Sequence, residues 1–573
     1  KTVWTEVIRL KKYGVTGNEL TRAKNEYLKR KESGYNERSK TRSGSYVNKY
    51  MNHFLKGEAP LDIEFEYPMS KELTSEITTK DISASIAKYI SNTNRDILVT
   101  APEKDKDALP KEADFNRWMK EVESSKIAAN QDNKNNKTLL ATKPATGKIV
   151  NTTTNSAIGT TEFTLSNGVK VVLKPTDFKN DEISFTAFSP GGTSLYKDNE
   201  YESADAATGV TTSAGLGDFT LSELQKHLTG KRMNVKPYIG ERYEGFSGSA
   251  APDDLETALQ LVYLYFTQPR KDFSVITGEL ERAKVSIANR GNDPSTVFSD
   301  SVSAILSNYN IRRTAPSIEK LNAIDFNRSY DIYKERFADA GDFTFTFVGN
   351  FDVEKIKPLL EQYLGALPAI NRVEEARNLG IQTPAGKIDR KVYKGIDNKS
   401  SVRLVFSGSY NYSETENYKL NALADLLTIK LIERLREDEG GVYGVSASAN
   451  YSKFPKNRYS VNISFGCAPT NVEKLISAVQ EVIEKVKTEL PQALDIEKIV
   501  NEDLRSMELQ LKTNGFWLSY LVGKQQTGDN LLSVLDYKEK LKKITPEALQ
   551  SAAREYLTGE NFIRIVLYPE KKQ

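Results

Sequence analysis

With 573 residues the chain is too long for one ordinary domain, and three or four compact units are expected. Hydrophobic residues at 38 % and charged residues at 27 % suit a soluble globular protein, and the absence of any run of 18 apolar residues argues against a membrane span. The balance of 80 basic against 77 acidic residues, net +3, offers no whole-chain electrostatic case for nucleic acid.

Cys467 is the only cysteine, so an intrachain disulfide and a cysteine zinc site are both ruled out. The two histidines, His53 and His227, lie far apart, and neither has a histidine partner one helical turn away. A catalytic zinc ion usually takes three protein ligands, at least one of them histidine, so this chain is not expected to ligate one. The compartment stays open between cytoplasm and an envelope space such as a bacterial periplasm.

The first element in chain order is a helix, "TEVIRLKKYG", which starts almost at Lys1 with no secretory signal before it. That predicts a piece of a longer polypeptide, cut inside a domain. A second helix opens at "TGNELTRAK" (16–24), where Thr-Gly reads as a turn. Lys11, Lys12, Lys24, Lys29, Arg30 and Lys31 make this region basic, but no aromatics are interleaved for base stacking, so a solvated face is expected. A helical block from 70, "SKELTSEITTKDISASIAKYI", feeds a predicted short strand, "RDILVTAPEK". Residues 106–159 are polar and of low complexity and read as a flexible linker.

After the linker, "TEFTLSNGVKVVLKPTD" reads as a hairpin turning at Asn167-Gly168, and "EISFTAFSPGG" as the next strand. "SPGG" (189–192) is a turn rather than a phosphate loop, because no Gly-Lys-Ser/Thr follows. "RYEGFSGSAAPDDLETALQLVYLYF" reads as strand, Ala-Pro break and amphipathic helix. "TGELERAK" (277–284) repeats the earlier motif. The block from 317, "SIEKLNAIDFNRSYDIYKERF", then leads to the strand "DFTFTFVGNFD". A shorter connector covers 371–387.

The same series then recurs as "RKVYKGIDNKSSVRLVFSGSY", "RYSVNISFGCAPTNVEKLISAVQEVI", "LDIEKIVNEDL", "YKEKLKKITPEALQSAAREYL" and "NFIRIVLYPEK". Leu321 and Leu541 are 220 residues apart, and Leu73 and Leu321 are 248 apart. The chain therefore repeats a unit of about 200 residues two and a half times. The predicted class is α+β, with antiparallel sheets backed by helices. The units fall at 1–105 (rear half only), 160–370 and 388–573.

In the last copy, Leu420, Leu423, Leu427, Leu431 and Leu435 form a helical stripe. It runs into "LREDEGGVYGV", where Gly440 suits a helix C-cap and Val442-Tyr443-Gly444-Val445 opens a strand. Arg436 and Tyr443 stand seven residues apart across this junction. On the residues alone, Arg436 pairs with Glu433 or Glu439, Tyr443 packs in a core, and Glu437, Asp438 and Glu439 are solvated.

This doubled α+β repeat resembles the pitrilysin family of zinc peptidases, which includes insulin-degrading enzyme and the mitochondrial processing peptidases. The resemblance implies four homologous domains in two halves, closing like a clamshell around a peptide. It makes 1–105 the rear of a second domain, 160–370 a third and 388–573 a fourth. In the family's fourth domain an Arg and a Tyr seven apart reach toward the zinc site. Arg436 and Tyr443 match that pattern, which implies that they hold the substrate carbonyl in the transition state. Where the first domain carries His-x-x-Glu-His, the third copy has Ala206-Ala207-Thr208-Gly209-Val210 within "DAATGVTTSAGLGDF". The hydroxyls of Thr208, Thr211 and Thr212 are no substitute for soft nitrogen ligands.

The resemblance thus implies the noncatalytic half of a zinc metalloendopeptidase. Zinc is expected in the parent protein and not in this chain, and an N-terminal catalytic half and a peptide or unfolded protein are the expected partners. The alternative is a noncatalytic scaffold subunit of the same family. The family also implies peptide addition at a sheet edge.

Overall fold

The computed structural model describes residues 1–573 except 91–94, 102, 132–136 and 571–573. Residues 2–124 are built from helices, with no strand among the described residues. The predicted strand "RDILVTAPEK" falls partly outside the described residues, and 95–101 have no regular structure. Few apolar side chains are buried in this region, Tyr67 and Val122 among them.

Two sheets follow. The first contains β1 (Ile149–Asn155), β2 (Thr160–Leu165), β3 (Lys170–Pro175), β4 (Ile183–Pro190), β5 (Met233–Ile239), β6 (Tyr243–Ala250) and β7 (Thr344–Gly349), in the order β1-β2-β3-β7-β4-β6-β5. The second contains β8 (Lys387–Tyr393), β9 (Ser400–Ser409), β10 (Val442–Ser452), β11 (Arg458–Cys467) and β12 (Phe562–Tyr568), in the order β10-β11-β9-β12-β8. Set side by side, β3-β7-β4-β6-β5 and β8-β12-β9-β11-β10 are the same arrangement, so the sequence repeat is a repeat of topology. Each sheet contains one parallel pair, β3 with β7 and β8 with β12, because the closing strand of each unit returns beside the equivalent strand, β3 or β8; the other neighbours are antiparallel.

Local chemistry explains the elements. The β2–β3 hairpin turns at Gly168, whose φ is +91° and whose added Cβ would meet the Gly341 carbonyl oxygen at 2.8 Å. Both Ala-Pro breaks start a short 3₁₀ turn, and the helices Leu255–Thr267 and Val472–Thr488 follow directly. Those helices pack on one face of their sheets, giving one apolar core per unit.

Three expectations are corrected. The stretch 106–159 contains the helix Glu112–Ser124, which lies against Thr2–Tyr13, and the strand β1, which pairs with β2. It is not one continuous linker, and the third unit starts before residue 160. Thr277-Gly278 is not a turn but lies inside the helix Ile276–Arg290. The connector 371–387 is pinned. Buried Asp339 accepts from Ile370 N and Arg372 N at 3.1 and 2.5 Å, Glu374 pairs with buried Arg336, and Arg458 donates to the Ile381 carbonyl.

The two sheets are also tied across their other faces. The helix Pro294–Leu306 of the third unit packs Phe298 and Ile305 against Val405, Ile563, Ile565 and Leu567 of β9 and β12. The helix Asn514–Thr527 of the fourth unit packs Trp517 and Leu521 against Val172 and Val348 of β3 and β7. Each unit lends one helix to the other's sheet.

Candidate functional site

The helix Glu414–Leu431 starts at the Ser413 cap, whose Oγ accepts from Glu416 N. Its predicted stripe of Leu420, Leu423, Leu427, Leu431 and Leu435 is fully buried. The helix does not stop at Leu431. Residues Ile432–Asp438 continue it with π geometry, Gly440 takes φ +59°, and Gly441 N closes onto the Leu435 carbonyl at 3.2 Å. β10 then begins with an irregularity, its register against β11 shifting between Val442 and Val445. A π segment, a left-handed glycine and a strand bulge within about a dozen residues form the kind of local departure found at functional sites.

Arg436 stands in the last turn of the π segment. It is exposed and, among the described residues, makes no hydrogen bond or ion pair. The acids expected to hold it are engaged elsewhere. Glu433 pairs with Lys430 at 3.0 Å, and Glu439 pairs with Arg434 and Lys474. The Lys474 ammonium and the Arg434 guanidinium hold the Glu439 carboxyl below its ordinary value. Glu439 is therefore part of a surface ion-pair chain, while Glu437 and Asp438 are exposed. The backbone of Tyr443 belongs to β10; its side chain lies outside the described residues.

Beyond the junction, β10 is an outer strand of its sheet. Its inward side chains alternate with exposed Gly444, Ser446, Ser448 and Asn450. A groove of about 510 Å³ lies here, lined by Phe298, Arg403, Gly444, Ser446, Ser464 and Phe465 among others. Arg403, on β9 opposite Ser464, has a buried Nε without a hydrogen-bond partner among the described residues. Sequence reasoning passed over Arg403, because only sheet register brings it beside Ser464 of β11 and into the groove that β10 also lines.

Peptide addition along β10 meets an obstacle at its middle. Thr428 Oγ1 accepts from Ala447 N at 2.9 Å and lies 3.2 Å from the Ala447 carbonyl, so the helix side chain closes that part of the edge.

Ala206–Val210 lies on the helix Tyr201–Ser213, the topological counterpart of the Leu-stripe helix. Its side chains are methyls, one hydroxyl, a hydrogen and an isopropyl group, which do not fit zinc. Among the described residues no three His, Cys, Asp or Glu stand together as a metal site. His227 packs beside Phe219, and burial followed by Lys231 holds its pKa below the ordinary value. His53 Nδ1 lies 2.8 Å from the Glu58 carbonyl on an exposed helix.

Residues 323–502 match the family described as Peptidase M16 inactive domain. A zinc protease described as PQQL-like from Arabidopsis thaliana is 26 % identical over 598 residues, covering 99 % of this chain and 60 % of that protein. A probable zinc protease PqqL from Haemophilus influenzae is 24 % identical over 490 residues, covering 84 % of this chain and 51 % of that one. The crystal structure of the periplasmic protease PqqL from Escherichia coli shares the fold with a TM-score of 0.69 at 18 % identity, covering 99 % of this chain and 63 % of that one.

Residues 323–502 thus resemble a Peptidase M16 inactive domain, and the relatives found are described as PqqL or PQQL-like zinc proteases. The inferred resemblance and the α+β architecture of repeated units are both borne out. The chain spans 60 % and 51 % of the length of the two curated relatives. No helix among the described residues is long and apolar enough to cross a membrane.

Proposed function

We propose that this chain is the noncatalytic half of a zinc metalloendopeptidase. It closes a peptide-binding chamber and presents Arg436 and Tyr443 to the substrate. The observation that carries this reading is the state of Arg436. It is held at an irregular helix–strand junction, exposed, while every nearby acid expected to neutralise it is paired with another base. A permanently charged guanidinium left without a partner in this way is available to donate to a carbonyl oxygen gaining negative charge. Tyr443 supplies a second donor of the same kind, since a tyrosine hydroxyl can donate a hydrogen bond.

Zinc, its ligands and the general base belong in this reading to a catalytic half, since Ala206–Val210 on the helix Tyr201–Ser213 offers no side chain to hold the metal and no three His, Cys, Asp or Glu stand together among the described residues. The relatives' description as zinc proteases supports zinc in the complete protein. The substrate class is a peptide or unfolded protein.

In the complete protein, Arg436→Ala should lower peptide turnover by roughly 10²-fold, and Tyr443→Phe should lower it in the same direction. The melting temperature should not change in either. Unchanged turnover in both variants overturns the assigned roles. Metal-dependent peptide cleavage by residues 1–573 alone overturns the division into halves.

A further inference from the structure

The helix Gly44–Lys56 turns its apolar side to solvent. Val47, Tyr50, Met51 and Phe54, spaced as one helical face, are 60, 59, 47 and 87 % exposed. The half-buried residues are Lys49 and Asn52 on its polar side, and Lys49 Nζ reaches the Leu61 carbonyl. No residue of the helix is buried. A contiguous apolar face presented this way marks an interaction surface.

Two other helices of this chain occupy the same place in the repeat. The N-caps Asp293 and Thr513 are 220 residues apart, the spacing of Leu321 and Leu541. Ser43 and Asp293 are 250 apart, against 248 for Leu73 and Leu321. "SGSYVNKYM" (43–51) aligns with "TNGFWLSYL" (513–521) at the cap and at four apolar positions: Tyr46 with Phe516, Val47 with Trp517, Tyr50 with Tyr520, and Met51 with Leu521. Both helices stack the same aromatic pair, Tyr46 on Tyr50 at 6.3 Å and Phe516 on Tyr520 at 5.7 Å between ring centroids. Each counterpart is seated on a sheet of the neighbouring unit, Pro294–Leu306 on β9 and β12, and Asn514–Thr527 on β3 and β7.

We propose that Gly44–Lys56 docks, through Val47, Tyr50, Met51 and Phe54, across the open face of a β-sheet in a further α+β unit of the same kind as the two described above. Such a seat is lined by β-branched and leucine side chains, as Val172, Val348, Val405, Ile563, Ile565 and Leu567 line the two observed ones. The relatives have room for that unit, since this chain spans 60 % of one and 51 % of the other. The docking is independent of whether Arg436 touches substrate.

The test is Phe54→p-benzoylphenylalanine in the protein as its own gene produces it. Irradiation should cross-link position 54 to a peptide from a β-strand lying outside residues 1–573, identified by mass spectrometry. Adding Met51→Glu should cut the cross-link at least tenfold, while the melting temperature of residues 1–573 alone stays unchanged. Four results overturn the proposal: no cross-link, a cross-link to helix 44–56 of a second copy, a cross-link to lipid, or a yield insensitive to Met51→Glu. Because the readout is a contact and not turnover, it separates this docking from the role of Arg436.

Discussion

Arg434 and Arg436 sit two residues apart, and their surroundings separate structure from function. Arg434 is bound to Glu439 and to Glu481, the latter at 3.1 Å. Arg436 is bound to nothing among the described residues. An exchange of roles is therefore expected in paired variants: Arg434→Ala should loosen the ion-pair chain around Glu439 with little effect on turnover, and Arg436→Ala the reverse. A second residue-scale consequence concerns Glu244, fully buried on β6. Burial pushes its pKa up to about 8, only partly opposed by Arg336. Arg336 forks onto Glu374 at 2.7 and 3.1 Å and leaves Glu244 a 3.4 Å contact. Because the folded value lies above the ordinary one near 4.5, the folded state keeps the proton that the unfolded state releases. The contribution is complete below about pH 4.5 and is lost as pH rises toward about 8, by at most about 1.4 kcal/mol per pH unit. Denaturant midpoints at intervals between pH 5 and 8 should fall more steeply for the wild type than for Glu244→Gln. Parallel slopes would reject this account.

At the scale of elements, the junction after Leu431 shows how one side chain decides what a strand edge can do. Thr428 Oγ1 accepts from Ala447 N while its own proton faces the Ala424 and Ala447 carbonyls, so the β10 edge is occupied there from within. Thr428→Val should cost about 1 kcal/mol, the net value of a typical hydrogen bond. It should also speed amide exchange at Ala447 specifically, measured by hydrogen–deuterium exchange. Unaltered exchange at Ala447 would mean that the edge is not held by Thr428. The elements that were legible in the sequence depend on local signals. Among them are the leucine stripe, the Asn167-Gly168 hairpin, both Ala-Pro breaks and the Gly440 turn. Those that were not legible depend on partners distant in the chain. β1 reads "IVNTTTN" and has its central residues exposed, so it carries no alternation of apolar and polar residues to betray a strand. The connector 371–387 looks like a free linker until Asp339 and Arg336 are brought under it. Within the candidate site, Arg436 and Tyr443 were singled out only through the family resemblance that their spacing matches, whereas Arg403 gains its meaning from sheet register and Thr428 from the packing of its helix on β10.

On the scale of the whole molecule, the third and fourth units act as one body because each lends a helix to the other. Trp517 is the centre of one contact. Its ring lies under Lys174 Nζ at 3.9 Å, its Nε1 donates to the Leu511 carbonyl at 2.9 Å, and it packs with Val172 and Val348 of the other unit. Lys174 is itself buried, its pKa lowered by desolvation, and its Nζ donates to the Ile158 carbonyl at 2.6 Å. Removing the indole would leave a cavity and strip the cation of its aromatic cover at once. Trp517→Ala should therefore cost about 3–5 kcal/mol. The loss falls on a contact between units and not inside either core, so one cooperative melting transition should separate into two, resolved by calorimetry. Phe298→Ala, on the reciprocal helix, should act in the same sense. Phe54→Ala should leave the melting of this chain unaltered, because its ring is 87 % exposed among the described residues. A single sharp transition in both Trp517→Ala and Phe298→Ala would show that the two units are joined by the pinned connector and not by the exchanged helices.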